Sequence, residues 1–413
     1  MFNNKVKLLV MCKRILVILL LTSSIVSCRK QMDVERLTNY TGQSYSDVFE
    51  SFWHGINSNY LFWDIETVNW NNMYATYKPR FEDLDLHKND PNSGQKAAQY
   101  LVDMTKDLSD SHFTLTFNGQ ADYMVEGYPI QSSGFAPASF RHQVRGDRFQ
   151  IPRDVFNTVI PTHYLTKAEF GTDANKSFYI NLGIIPRDGK KILYLEFSEF
   201  QLQSEYWAAN STATPVKPVL DDFFRYTKDP SIDGLIIDLR GNPGGSVPDM
   251  DFFLGSLIKE KKLVSYTRTK SGDGRLDYTP WVQGYVHPQP GSVDFTDKPV
   301  AVLVDCYSVS MAEMTSMATK AIFPKAKLVG EQTWGGTGQI PPSDIRYLGG
   351  QFTAGNFVQV YMAGVELRDV NMVCHENVGL TPDIPVKYDT TAIKNNIDVQ
   401  LDKAIQHVVS NGS

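Results

Sequence analysis

The chain has 413 residues, of which 42% are hydrophobic and 21% charged, so it is a globular protein with room for about two or three domains rather than a disordered one. Its net charge of -6 is spread without long like-charge blocks, which leaves no electrostatic footprint for nucleic acid or for an anionic membrane surface. No internal repeat or low-complexity stretch interrupts it.

The first element is a targeting segment. Lys5, Lys7, Lys13 and Arg14 precede an apolar run over residues 15–21 that continues to Val26, and small Ser23, Ser24 and Ser27 follow. The run is shorter than the roughly 20 residues of a spanning helix. Residues 1–27 therefore read as a cleaved signal peptide. Ile25, Val26, Ser27 and Cys28 resemble a bacterial lipobox, which makes Cys28 the lipidated N-terminus of an exported, membrane-anchored chain, outer-membrane and facing the periplasm or the cell surface. Of the four cysteines, Cys12 leaves with the signal and Cys28 takes lipid, so only Cys306 and Cys374 remain to pair or stay free.

A polar tether over 28–45 leads into a helical segment over 46–112, with Val48, Phe49, Phe52, Trp53 and Ile56 at helix spacing and a further helix over 94–108. Its aromatics suit a packed core better than a substrate groove. Residues 113–190 mix short alternating runs with Gly and Pro, with strands over 113–117 and 177–180, and read as a small β-rich middle domain. From Lys191 strands and helices alternate: strands at 192–197, 234–239 and 300–304, and helices at 219–226, after Ser246 and up to Ile322. That is an α/β core over 191–390, followed by a helix or tail over 391–413.

Three constellations carry chemistry. Asp238-Leu239-Arg240-Gly241-Asn242-Pro243-Gly244-Gly245 ends an apolar strand in a glycine turn, and Ser246-Val247-Pro248-Asp249 has the form of a capping box that would start a helix at once. Clustered N–H groups there suit an oxyanion. Neither G-x-G-x-x-G nor G-x-x-x-x-G-K is present to suggest a phosphate site. The strand over 300–304 runs through Ser308 into Ser310-Met311-Ala312-Glu313, placing the Ser310 hydroxyl and the Met311 N–H at a helix mouth. Ser310 with Glu313 is equally a capping box. A serine nucleophile needs a base and an orienting acid. Among eight histidines, His112 sits at a helix-to-strand junction beside Ser111, and Glu376 lies in His375-Glu376-Asn377-Val378-Gly379-Leu380-Thr381-Pro382-Asp383.

These segments resemble the S41 serine peptidases, the family of tricorn core protease and the carboxyl-terminal processing proteases, over residues 191–386 and the Ser-His segment. The resemblance implies an S41-type, ClpP/crotonase-like α/β core with an N-terminal helical segment. It implies Ser310 as nucleophile, the Asp238 to Gly245 turn as oxyanion hole, and His112, Ser111 and Glu376 as the other members of a tricorn-like set. The processing branch uses a lysine after G-E-x-T-x-G; here Gly330-Glu331-Gln332-Thr333-Trp334-Gly335 leads to Gly336 at that place, so a Ser-Lys dyad is disfavoured. A PDZ module is not evident over 113–185, which lacks its glycine loop and Gly-Asp turn.

The sequence thus predicts acyl transfer on exposed or unfolded polypeptides. His112 takes the Ser310 proton, Glu376 supports the imidazolium directly or through Ser111, and amides of Gly244, Gly245 and Met311 receive the oxyanion. No cofactor and no metal are called for: His375-Glu376 lacks the second histidine of H-E-x-x-H, since Gly379 stands there. Nucleic acid is not a predicted partner, and the oligomeric state stays open. The alternative is a catalytically silent ligand- or peptide-binding protein on the same scaffold.

Overall fold

Uninterrupted apolar strands need cover on both faces, and Val300–Val304 and Gly234–Asp238, buried at every position, lie at the centre of a seven-stranded sheet. The computed structural model describes residues 44–118, 123–125, 128–130, 134–145, 150–208, 215–272, 274–340 and 350–410. The signal segment, Cys28 and the tether up to residue 43 lie outside them. All described residues fall in one unit, Asn39–Ser413. Among them no helix is long and apolar enough to cross a membrane.

In the large sheet the order is Ile384–Pro385, Ala326–Gly330, Val300–Val304, Gly234–Asp238, Lys190–Phe197, Tyr179–Arg187, Thr166–Thr172. The first five run parallel, Tyr179–Arg187 pairs antiparallel with Lys190–Phe197, and Thr166–Thr172 pairs antiparallel with Tyr179–Arg187. Alternate side chains go to opposite faces. Leu235, Ile237, Val300 and Val302 pack with the helices Val216–Tyr226 and Met311–Ile322. Ile192, Tyr194, Ile236, Ala301 and Leu303 pack against Leu401, Ala404, Ile405 and Val408, the apolar stripe of the helix Val399–Val409. Each such Leu, Ile or Val withdrawn from water contributes about 1.5–3 kcal/mol.

Two boundaries differ from the sequence expectation. The separate β-rich middle domain over 113–190 is not formed, because Thr166–Thr172 and Tyr179–Arg187 continue the large sheet by pairing with each other and with Lys190–Phe197. After 390 the helix alternative is the one that forms, as Val399–Val409, and it covers one sheet face. Conversely, Gln351–Ala354 and Val358–Tyr361, inside the expected core, pair away from it. They form a four-stranded antiparallel sheet with Thr114–Phe117 and Gly134–Phe135. Their buried Phe352, Val358 and Val360 share a cluster with the N-terminal helices Tyr45–Asn59, Trp70–Leu86 and Ser93–Thr105. Phe49, Phe52, Tyr60, Trp70 and Phe81 are interior to that cluster, so the aromatics fill a core rather than line a groove.

The first part of the helical segment expected over 46–112 is two helices, broken where Tyr60 turns extended and restarted by Asn69, whose side chain accepts from Asn72 N at 3.1 Å. Nor does the turn after the glycines form a capping box. The helix Asp249–Leu254 starts without a side-chain cap, because the Asp249 carboxylate instead accepts N–H bonds from Leu202 and Gln203 at 2.7 and 3.0 Å.

Candidate active site

The glycine turn and the nucleophile turn leave adjacent parallel strands, Gly234–Asp238 and Val300–Val304, at their carboxyl ends. Their backbones are joined: Val309 N donates to Asn242 O at 3.0 Å. Asp305 accepts from Gly241 N and Tyr307 N, both at 2.9 Å, and Ser308 Oγ donates to Leu239 O at 2.8 Å. Ser308 is thereby a bracket of the turn. Burial pushes Asp305 up to about 6.

Beneath them Arg240 closes a buried ion cluster. Its guanidinium donates to Asp238 at 2.9 and 2.6 Å, to Asp398 at 3.1 Å and to Gln400 at 2.9 Å, with all three charged side chains at most 2% exposed. Asp398 also caps the helix Val399–Val409. The Asp-Leu-Arg part of the motif thus bolts the glycine turn to the C-terminal helix. Neither Asp398 nor Gln400 was legible as its partner, since both lie some 160 residues away.

Ser310 adopts φ 55° and ψ -115°, a conformation that strains a side chain bearing Cβ and that the surroundings must enforce. The enforcing group is Glu313. Its fully buried carboxylate accepts from Ser310 N at 3.2 Å, Thr333 Oγ1 at 2.5 Å, Gly335 N at 2.8 Å and Gly336 N at 2.7 Å. Gly244 approaches so closely that a Cβ there would lie 2.7 Å from Ser310 Cβ and 2.8 Å from Met311 N, so glycine is required. Its own N–H is already donated to Asn242 Oδ1 at 2.9 Å. Gly244 thus supplies close approach, and its N–H, expected as one of three oxyanion donors, is engaged within the turn.

The base candidates arrive from the other sheet. Ser111 and His112 sit just before Thr114–Phe117, and both Ser111 Oγ and His112 Nδ1 are buried without a partner. A Cβ on Gly336 would lie 3.5 Å from His112 Cε1, 3.5 Å from Ser111 Cβ and 3.1 Å from Val309 Cγ1. His112 therefore occupies the space beside position 336, next to the residue preceding Ser310. Burial pushes the imidazole down to about 4, which keeps it neutral near pH 7.

Glu376 is joined to the Ser-His pair through the main chain. Its Oε1 accepts from Ser111 N at 2.7 Å, and its Oε2 from Thr337 N and Gly338 N, both at 2.7 Å. The carboxyl that sequence reasoning missed is Asp110. It is wholly buried, accepts from His112 N and Ala363 N at 2.8 Å each, and makes an Asx turn onto the histidine. An Asp two residues before the histidine was the available signal. Asp110, His112 and Glu376 each present an atom within 4.8 Å of the others'. That donor set suits a divalent ion, but each of the four carboxylate oxygens already accepts a backbone N–H. Burial, with Asp110 as the next cause, pushes Glu376 up to about 8, and burial pushes Asp110 up to about 6. Two carboxyls this close do not both ionise readily, and the pair retains a proton near neutrality. Cys306 and Cys374 are not disulfide-bonded.

Residues 191–386 match the model of the family described as peptidase family S41. The chain carries a peptidase S41 domain. Over 192 residues it is 28% identical to the tricorn protease of Thermoplasma volcanium, a match covering 46% of this chain and 16% of that protein. It is 28% identical over 157 residues to the nisin-resistance protein of Lactococcus lactis subsp. lactis, covering 37% of this chain and 45% of that one. The chain therefore spans less than half the length of either relative. In overall fold it is similar to a candidate peptidase from Parabacteroides merdae, with a TM-score of 0.62 at 21% identity over 89% of this chain and 98% of the other. The S41 domain contributes Ser310, the glycine turn and Glu376, whereas Ser111 and His112 lie outside the matched residues.

Proposed function

We infer that the chain is a serine peptidase that cleaves exposed or unfolded polypeptides through an acyl-enzyme on Ser310, with His112 as the base. The observation that carries this reading is the packing at position 336. Glycine stands where the processing branch has its lysine, and His112 Cε1 and Val309, the residue before the strained Ser310, both border that position. A neutral imidazole there takes the Ser310 proton as the hydroxyl attacks the scissile carbonyl. The carbonyl oxygen gains charge in front of the Gly245 and Met311 amides, at the N-terminus of the helix Met311–Ile322. His112 then returns the proton to the leaving amine, and water repeats the cycle on the ester. Glu376 acts by anchoring the base segment through the Ser111 N–H.

The test is labelling with a fluorophosphonate, which reacts with an activated serine. The wild-type chain over residues 29–413 labels, and Ser310→Ala and His112→Ala do not. No labelling of the wild type would return the chain to the ligand-binding reading. The lipobox-like Ile25 to Cys28 and the apolar run before it also support an exported lipoprotein. For this, Cys28→Ser is expected to abolish incorporation of radiolabelled palmitate and release the chain from membranes; unchanged incorporation would refute the anchor.

A further inference from the structure

A cavity of about 520 Å³ opens at the carboxyl edge of the parallel strands, beside the nucleophile turn. Gly241 and Pro243 of the glycine turn form one wall, Tyr307 and Val309 of the nucleophile turn another, and Arg153 and Glu199 face them. Its size suits one large side chain or a short stretch of peptide.

The charges in these walls are unequally matched. Arg153 is held by both oxygens of the buried Glu196, at 2.6 and 2.7 Å, and Arg240 by Asp238 and Asp398, at 2.6 and 2.9 Å. Both guanidinium groups are thus neutralised from behind. Glu199 is half-buried, and among the described residues its carboxylate has no hydrogen bond or ion pair. Carboxylates behind the lining residues Ser177 and Glu199 carry further negative charge. Ser177 Oγ donates to Asp173 at 2.8 Å, and burial, Asp173 and Glu199 together push Glu205 above the ordinary carboxylate range.

Glu199 is also fixed relative to the reacting centre. The next residue, Phe200, donates its N–H to Gly244 O at 2.8 Å and accepts from Ser246 N at 2.8 Å, so the segment is laced to the glycine turn.

We propose that this cavity is the subsite for a basic side chain, lysine or arginine, of the polypeptide substrate, with Glu199 as the counter-ion. The proposal rests on the peptidase reading and deepens it. The methylenes of such a side chain lie along Ile151, Pro243 and Val309 while the cation reaches the carboxylate. A purely apolar side chain of equal length fills the same space but leaves Glu199 partly desolvated and unpaired, which disfavours it.

The experiment reads binding, so that it stands apart from catalysis. Ser310→Ala protein is titrated, by fluorescence anisotropy at low salt, into a labelled alanine hexapeptide carrying one lysine, and into the same peptide with norleucine in its place. Lysine is expected to bind about tenfold tighter, the scale of one charge-assisted contact. That advantage disappears in Ser310→Ala/Glu199→Gln, while Ser310→Ala/Glu199→Arg prefers a glutamate peptide. Equal binding of lysine and norleucine, a lysine preference that survives Glu199→Gln, or no binding of the lysine peptide at millimolar concentration would each overturn the subsite. A preserved lysine preference in a wild-type chain that hydrolyses no peptide would instead overturn the catalytic reading alone.

Discussion

The Ser310 half of the candidate site and the His112 half are held by different physics. Ser310 and the glycine turn stand at the ends of paired parallel strands, and their brackets come from the same two turns: Asn242 O to Val309 N, Asp305 to Gly241 N, Ser308 to Leu239 O. The His112 half is a short junction, Asp110 to His112, pinned by Glu376 from 265 residues away and by Ala363 from 253. Its scaffold is the aromatic helical layer and the four-stranded sheet. A rigid edge thus presents Ser310, while long-range hydrogen bonds to carboxylates hold the His112 segment. The two halves should respond differently to mutation.

The largest expected effect joins them. Ser310→Ala should lower kcat by about a thousandfold or more, and His112→Ala nearly as much. The double mutant should lose little beyond either, because members of one catalytic unit are non-additive. Peptide kinetics on all three variants, with circular dichroism to confirm folding, would separate the halves if the losses multiplied. With the imidazole held down to about 4, the acid limb of kcat/KM should lie below pH 6 rather than near the ordinary histidine value. A limb centred above pH 6.5 would show that His112 is more exposed to water than its packing implies.

Next in size is the clamp under the Ser310 half. Arg240→Ala leaves Asp238 and Asp398 buried and unpaired, and should reduce the unfolding free energy by about 3–5 kcal/mol. Urea denaturation reads this directly. A loss below about 1 kcal/mol would mean that the ion cluster is hydrated.

A smaller change probes the seam. Gly336→Ala inserts a Cβ 3.1 Å from Val309 and 3.5 Å from His112 and Ser111. It should lower kcat/KM by about tenfold through misplacement of the base, with little change in Tm. Wild-type kinetics in this variant would disconnect position 336 from the base.

The gentlest test is the pH dependence of stability in the His112 half. Glu376 is raised to about 8 against an ordinary 4.5, so the folded chain holds a proton that the unfolded chain releases. This contribution is complete below about pH 4.5 and is lost as pH rises towards 8. Asp110, raised to about 6, acts with the same sign. Tm by scanning fluorimetry should therefore decline across that window, and Glu376→Gln, though less stable throughout, should decline less. Parallel curves for the two proteins would show that Glu376 is already ionised in the fold.

The sequence alone specified the Ser310 half almost completely. The strand Val300–Val304 and the helix Met311–Ile322 begin and end where the apolar run and Ser310 indicate, because an unbroken apolar run followed by a capping pattern is a local signal. It also named Ser111, His112 and Glu376, through their likeness to a family pattern. What only the tertiary structure decided was how these meet. Asp110 bears only the local mark of standing two residues before His112, and its partner Ala363 shows only in the fold. Gly244 resembles Gly245 until one N–H is found donated to Asn242. Asp249 reads as a cap until its carboxylate turns to Leu202 and Gln203. Strands near 170–187 read as a separate domain because edge strands that extend a sheet and strands that build their own share the same alternation. Local periodicity fixes which residues face inward, but which buried donor finds which buried acceptor depends on segments hundreds of residues apart, and that is settled only when the whole chain packs.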